Sequence, residues 1–268
     1  MSEHLIETFS EKLAKNKKIV FSEQKFNTKR NFTGRLWYFW SMMVVAFMVL
    51  LIAPPILLVL GLINRREWFY PFARWGARWW LRLSGARIVM KGLENLEPDK
   101  AYVFASNHRS YLDTAAMFAH TGKKMGLVAK KELLKVPVFG YGMQYVNVMP
   151  IDRSNPERAS QTLEAVRQKI ADGVSFAIFA EGTRSLPAEL LPFKRGAFSV
   201  AIETQTPIVP VAVKNSDYLM GKKTGVAYPG TIEIVFLPPI ETAGLTVEND
   251  METLRDKTRA LVAGELAK

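Results

Sequence analysis

A chain of 268 residues is long enough for one medium domain with an appendage, and the lack of cysteine excludes disulfide staples, thiolate catalysis and thiolate metal sites. The net charge of +11 is uneven: residues 1–91 hold 15 Lys/Arg against 5 Asp/Glu, and the remainder is nearly neutral. All six tryptophans lie in that basic third and flank a long apolar run, which favours an anionic bilayer surface over nucleic acid as the partner.

Residues 1–35 are polar and basic, with a weak helical pattern (Leu5, Ile6, Phe9, Leu13), and read as a cytosolic lead-in. From Leu36 to Ile63 there is no charge for 28 residues. This run starts too late and is too long for a signal peptide, and its default reading is a spanning helix. Pro54 and Pro55 in its interior favour a break, and basic residues on both flanks favour both ends on the cytoplasmic side. The expectation is a membrane-embedded helical hairpin that turns at the proline pair. Next, "PFARWGARWWLRL" places Arg74, Arg78 and Arg82 four apart beside a Phe72, Trp75, Trp79 stripe. It reads as an interfacial amphipathic helix with guanidinium groups on phosphates, or as a helix packing its aromatics on the following domain. Residues 36–84 thus form the membrane unit and 85–268 the catalytic domain.

Beyond Gly92 the pattern is α/β. Strands are expected at Ala86–Met90, Tyr102–Ser106, Met125–Ala129, Val146–Ile151, Val174–Ala180, Ile208–Val213 and Thr231–Phe236. Helices are expected at Tyr111–His120, Val138–Tyr145, Pro156–Asp172, Gly196–Glu203 and from about Asp250 onward. Such alternation implies a largely parallel sheet covered by helices on both faces.

In "SNHRSYLD", His108 and Asp113 are five apart and can meet only if a helix starts between them. Ser110 with Asp113 makes an S-x-x-D capping box that places this start. His108 then sits beyond a strand's carboxyl end, where open α/β sheets bind ligands, and Asp113 can hold one imidazole nitrogen while the other serves as a base. The alternative is a cap and a turn residue only. In "FAEGTRS", Glu181, Gly182, Thr183 and Arg184 leave another strand, and a guanidinium there suits phosphate oxygens, although in isolation a Glu–Arg surface pair in a turn is the better reading. Arg153 of "MPIDRS", Lys130 and Lys131, and Lys194 with Arg195 also follow strands, so cations gather at comparable strand ends as for an anion site. The chain has no complete nucleophile elbow, dinucleotide fingerprint, Walker A loop or H-E-x-x-H motif.

Four segments in order resemble the glycerophospholipid acyltransferase family, most closely its 1-acylglycerol-3-phosphate (lysophosphatidate) acyltransferases: "NHRSYLD", "KVPVFGYGMQYVNVMPIDR", "FAEGTRS" and "IVPVAV". Ala180 departs from the proline usual in the third. The resemblance implies a catalytic His108 held by Asp113. It implies phosphate binding by Arg153 and Arg184, with Lys131 as a further partner, and acceptor positioning by Glu181 within the Glu181–Gly182–Thr183–Arg184 turn. It further implies acyl transfer from acyl-CoA or acyl-carrier protein to the sn-2 hydroxyl of lysophosphatidate, with no metal or cofactor. The setting implied is a membrane of lipids, with the site on the cytosolic face of a bacterial inner membrane. Another lysophospholipid acceptor, lipid or thioester hydrolysis, or non-catalytic binding of a membrane surface are the competing readings.

Overall fold

The computed structural model describes residues 11–13, 15–21, 31–122, 124–152 and 155–268. The first strand, β1 (Ile19–Val20), pairs antiparallel with β7 (Glu189–Leu190), so part of the segment read as a lead-in joins the α/β fold. Arg259, fully buried on the C-terminal helix, secures it by donating to the carbonyls of Lys12 and Lys17. The weak helical pattern at Leu5, Ile6 and Phe9 lies outside the described residues.

The uncharged run forms one helix without reversal from Phe32 to Leu62. It consists of α1 (Phe32–Phe47), a π-helical turn (Met48–Ile52) and α2 (Ala53–Leu62), and Asn31 caps it by accepting from Gly34 N. The turn expected at Pro54–Pro55 is therefore not there. The widened turn ahead of the prolines accommodates residues that lack an N–H and would crowd a regular α-helix. The reversal comes later, across Ile63–Arg66, where charge first reappears, and leads into α3 (Phe69–Leu83). α3 runs back along the long helix: the Ser41 and Ser84 hydroxyls meet at 2.6 Å, and Trp80 Nε1 donates to Ser41 O at 3.1 Å. Arg74 and Arg78 both donate to Ala119 O at 3.1 Å, so two of the three arginines expected to reach phosphates cap a neighbouring helix. Trp75 and Trp79 point outward.

The remaining elements are β2 (Ala86–Lys91), β3 (Val103–Ser106), α4 (Tyr111–His120), β4 (Met125–Lys130), α5 (Phe139–Met143), β5 (Val148–Ile151), α6 (Pro156–Ala171), β6 (Ser175–Phe179), α7 (Gly196–Glu203), β8 (Ile208–Lys214), α8 (Ser216–Met220), β9 (Gly230–Phe236) and α9 (Val247–Leu266). Seven strands make one sheet in the order β2-β9-β8-β3-β6-β4-β5, parallel at every junction except β8–β9. Alternating side chains serve opposite faces. Phe104 joins Leu112, Phe69 and Leu57 beneath α4 and the N-terminal helices, whereas Val103 and Ala105 join Phe198, Val166 and Val262 beneath α6, α7 and α9. Ser106 pairs with Phe179 and Lys130 with Ile151, so β3, β6, β4 and β5 end at one edge of the sheet.

Candidate active site

β3 releases the chain at Ser106, and Asn107 to Ser110 turn it into α4. Asn107 is fully buried and exchanges two hydrogen bonds with β8: its Nδ2 donates to Val213 O at 2.9 Å and its Oδ1 accepts from Val213 N at 2.8 Å. Ser110 is the N-cap of α4 in a capping box with Asp113. The Asp113 carboxylate, fully buried, accepts at Oδ2 from the backbone N–H of Arg109 (2.7 Å) and of Ser110 (2.8 Å), and the same oxygen lies 2.9 Å from His108 Nδ1. The cap and the histidine partner are thus one carboxylate. With Nδ1 occupied, Nε2 is the ring nitrogen left for chemistry. The imidazole stacks on Phe179 at 3.9 Å between centroids and keeps about 15% of its side-chain surface exposed.

Glu181 sits one strand over, beyond β6, and is 1% exposed. Its Oε1 accepts from the His108 backbone N–H at 2.6 Å and its Oε2 from Leu191 N–H at 2.7 Å. Burial pushes its carboxyl up to about 8, against the pull of those two N–H donors and of Arg109. Both oxygens are engaged by backbone on the protein's inside, and no Glu181–Arg184 ion pair forms. Gly182 takes φ +70°, the left-handed conformation that lets the chain turn after Glu181, and Thr183 is exposed. Ala180 N–H donates to Ser106 O at 2.9 Å, a bond tying β6 to β3 that a proline at this position could not make.

Arg184 lays its guanidinium over the Tyr111 ring, 3.6 Å from the centroid, and donates no hydrogen bond to a described residue. Lys131 is carried elsewhere, past the end of β4, where it pairs with Asp152 at 2.5 Å. Asp152 immediately precedes Arg153, which lies outside the described residues. The structure therefore unites His108, Asp113 and Glu181, sets Arg184 against the first residue of α4, and places Lys131 two strands from β3.

Several residues of this neighbourhood carried no local signal. Arg109, 1% exposed, donates from Nε to Glu189 O (3.0 Å) and from Nη1 to Asp217 Oδ2 (3.1 Å), which also accepts from Ala188 N at 3.0 Å. Ser185 N donates to His108 O at 2.8 Å. Only the position of Arg109 inside "NHRS" could have marked any of them.

Residues 87–214 match the profile of the Acyltransferase family. The 1-acyl-sn-glycerol-3-phosphate acyltransferase alpha of Mus musculus is 34% identical over 179 residues, 66% of this chain and 62% of its own. An uncharacterized acyltransferase of Schizosaccharomyces pombe is 36% identical over 178 residues, 65% of this chain and 64% of its own. This chain thus spans under two thirds of the length of either. The crystal structure of the 1-acyl-sn-glycerophosphate acyltransferase PlsC from Thermotoga maritima shares the fold with a TM-score of 0.74, at 22% identity, over 87% of this chain and 94% of that one.

Proposed function

From the match of residues 87–214 to the Acyltransferase family profile, we propose that the chain transfers a fatty acyl group from an acyl thioester to the sn-2 hydroxyl of 1-acylglycerol-3-phosphate, giving phosphatidic acid. The observation that carries this reading is the 2.9 Å contact between His108 Nδ1 and the buried Asp113 Oδ2 at the carboxyl edge of a parallel sheet. His108 Nε2 accepts the proton of the sn-2 hydroxyl as its oxygen attacks the thioester carbonyl. Asp113 stabilises the imidazolium that results, and the proton then goes to the departing thiolate as the C–S bond breaks. No enzyme nucleophile is used. Glu181 and Asn107 act through the backbone, fixing the turn from which the imidazole projects. Arg184, with Arg153, supplies charge for the acceptor's phosphate.

The N-terminal helices support action on lipid. A 31-residue helix measures roughly 46 Å, yet the α/β domain touches it at both ends. Ala227 N donates to Gly34 O at one end, and Pro54, Leu57, Leu58 and Leu62 face Val138 and Tyr141 across a groove at the other. These two contacts hold the helix alongside the α/β domain, with most of its length exposed. Its outer face, with Leu36, Phe39, Trp40, Phe47, Leu51, Leu58 and Leu62 exposed, enters one leaflet in the membrane plane beside Trp75 and Trp79.

The test is purified protein with an acyl-CoA and a panel of lyso-lipid acceptors. Formation of phosphatidic acid from lysophosphatidate, faster than from lysophosphatidylcholine or monoacylglycerol, is expected. Thioester cleavage that ignores every acceptor would replace transfer with hydrolysis.

A further inference from the structure

The segment from Ala188 to Lys194 is bonded to two parts of the protein at once. Toward the proposed catalytic turn, Leu191 N–H donates to Glu181 Oε2 at 2.7 Å, and Glu189 O accepts from Arg109 Nε at 3.0 Å. Lys194 N–H donates to Ala180 O at 2.7 Å. The same segment also holds residues 16–21. Phe21 N–H donates to Ala188 O at 2.8 Å, and β1 pairs with β7. Asn16 exchanges two hydrogen bonds with the Phe193 backbone, at 3.1 and 3.2 Å. Ile19 is buried in the core, and the Phe21 ring lies 5.6 Å from the Arg109 guanidinium.

Arg259 closes the arrangement. Its Nε donates to Leu191 O at 3.4 Å, its Nη1 to Lys12 O at 3.3 Å, and its Nη2 to Lys17 O. Asn16 takes φ +47° and Lys17 N–H returns to Lys12 O at 2.8 Å, so the guanidinium caps a helix end where the chain turns. Five donors in a fixed fork let one side chain hold three carbonyls from two segments, which an ammonium on a flexible stem cannot do. Leu191 alone then connects two buried ionisable side chains. Its N–H serves Glu181 and its carbonyl serves Arg259.

We infer that residues 16–21 and Arg259 form a strap that positions His108, acting through Leu191 and Glu181 and, by way of Glu189, through Arg109. Both parts of the strap lie outside residues 87–214, the stretch that matches the family profile. This role presupposes His108 as the base proposed above. Arg259 and Asn16 are positioning residues, acting on the rate of transfer and not on the binding of acceptor or thioester.

Two substitutions in the full chain test the strap. Arg259→Lys keeps a charge but loses the fork, and Asn16→Gly keeps the left-handed turn while removing both bonds to Phe193. Each should lower kcat by ~10-fold, the scale of one or two lost buried hydrogen bonds, with KM for lysophosphatidate and acyl-CoA held. Ile232→Val, a core trim on β9, is the control that lowers Tm without lowering kcat. Arg259→Lys combined with Glu181→Gln should lose little more than the larger single effect, because both act along one path. Multiplied losses, a KM rise with unchanged kcat, or an equal kcat loss in Ile232→Val would each overturn the assignment. Asn16→Gly, at a half-buried position, decides the matter if the Arg259→Lys chain does not fold.

A readout independent of turnover comes from the three histidines of the chain. With ¹⁵N-labelled histidine, the ring signals of His108 should shift in both variants while those of His120 hold. Unmoved His108 signals would overturn the strap. Shifted signals in a protein whose wild type transfers no acyl group would support the strap and strike the proposed reaction instead.

Discussion

The backbone N–H of His108 donates to Glu181 Oε1 at 2.6 Å, so the turn after β3 is held by a buried carboxyl on the neighbouring strand's exit. Glu181 also anchors Leu191, and each oxygen has one donor. Glu181→Gln must set an amide N–H against one of those donors, leaving it unsatisfied. Acyl transfer should fall by ~10-fold or more through displacement of His108, on the scale of one buried unpaired group, with KM for the acceptor little altered. A KM rise with unchanged kcat would assign Glu181 to direct acceptor binding instead.

The same carboxyl predicts a pH effect on stability. Its folded value, pushed up to about 8 by burial, lies above the ordinary 4.5, so the folded state binds the proton more tightly. That contribution is complete below 4.5 and is lost as pH rises through about 8. Thermal unfolding at intervals from pH 5 to 9 should therefore show the wild type losing Tm relative to Glu181→Gln as pH increases. Parallel pH profiles would show that the two N–H donors outweigh burial.

Asp113 and Ser110 share the start of α4 but do different work. Ser110→Ala removes a cap and the bond to Met220, costing about 1–2 kcal/mol of stability while leaving the His108–Asp113 contact in place. Asp113→Asn keeps an oxygen for the backbone donors yet cannot stabilise an imidazolium, and should cost ~10²–10⁴ in kcat. Unfolding midpoints and turnover measured on both variants test this, and equal kcat losses would reduce Asp113 to a cap.

Arg109 and Asp217 form a buried ion pair, 1% and 0% exposed, that fastens the His108 turn to α8. Asp217→Leu strands a guanidinium and should destabilise by about 3–5 kcal/mol. Adding Arg109→Met removes the stranded charge and should restore much of that loss in denaturant unfolding. Additive losses would mean that the pair is not coupled.

Much of the α/β domain was legible in advance. Apolar runs bounded by turns marked the seven strands of the sheet, and Tyr111–His120 is helical as its capping box requires. The reversed direction of β9 relative to β8 was not, because strand direction depends on which edges meet. The proline pair misled because a π turn can absorb what a regular helix cannot. At the site, His108 and Asp113 could be paired from spacing plus a cap. The role of Glu181 could not, since its backbone donors, His108 and Leu191, and the nearby charge of Arg109 come from other segments. Asp217 lies 108 residues from Arg109, a separation at which no local pattern operates.

The in-plane placement of the long helix is open to labelling, because the chain has no cysteine of its own. Single cysteines at Arg35 and Arg65, beyond the two ends of the uncharged run, should react with an impermeant reagent from the same side of sealed vesicles. Opposite-side reaction would mean that the helix crosses the bilayer.

The central claim is that His108 is the base for acyl transfer. His108→Ala, assayed with acyl-CoA and lysophosphatidate on vesicles under conditions where its Tm and lipid binding match the wild type, should form phosphatidic acid at least ~100-fold more slowly, the lower range for a lost acid–base group. Turnover near the wild-type rate in that folded, membrane-bound variant would contradict the account.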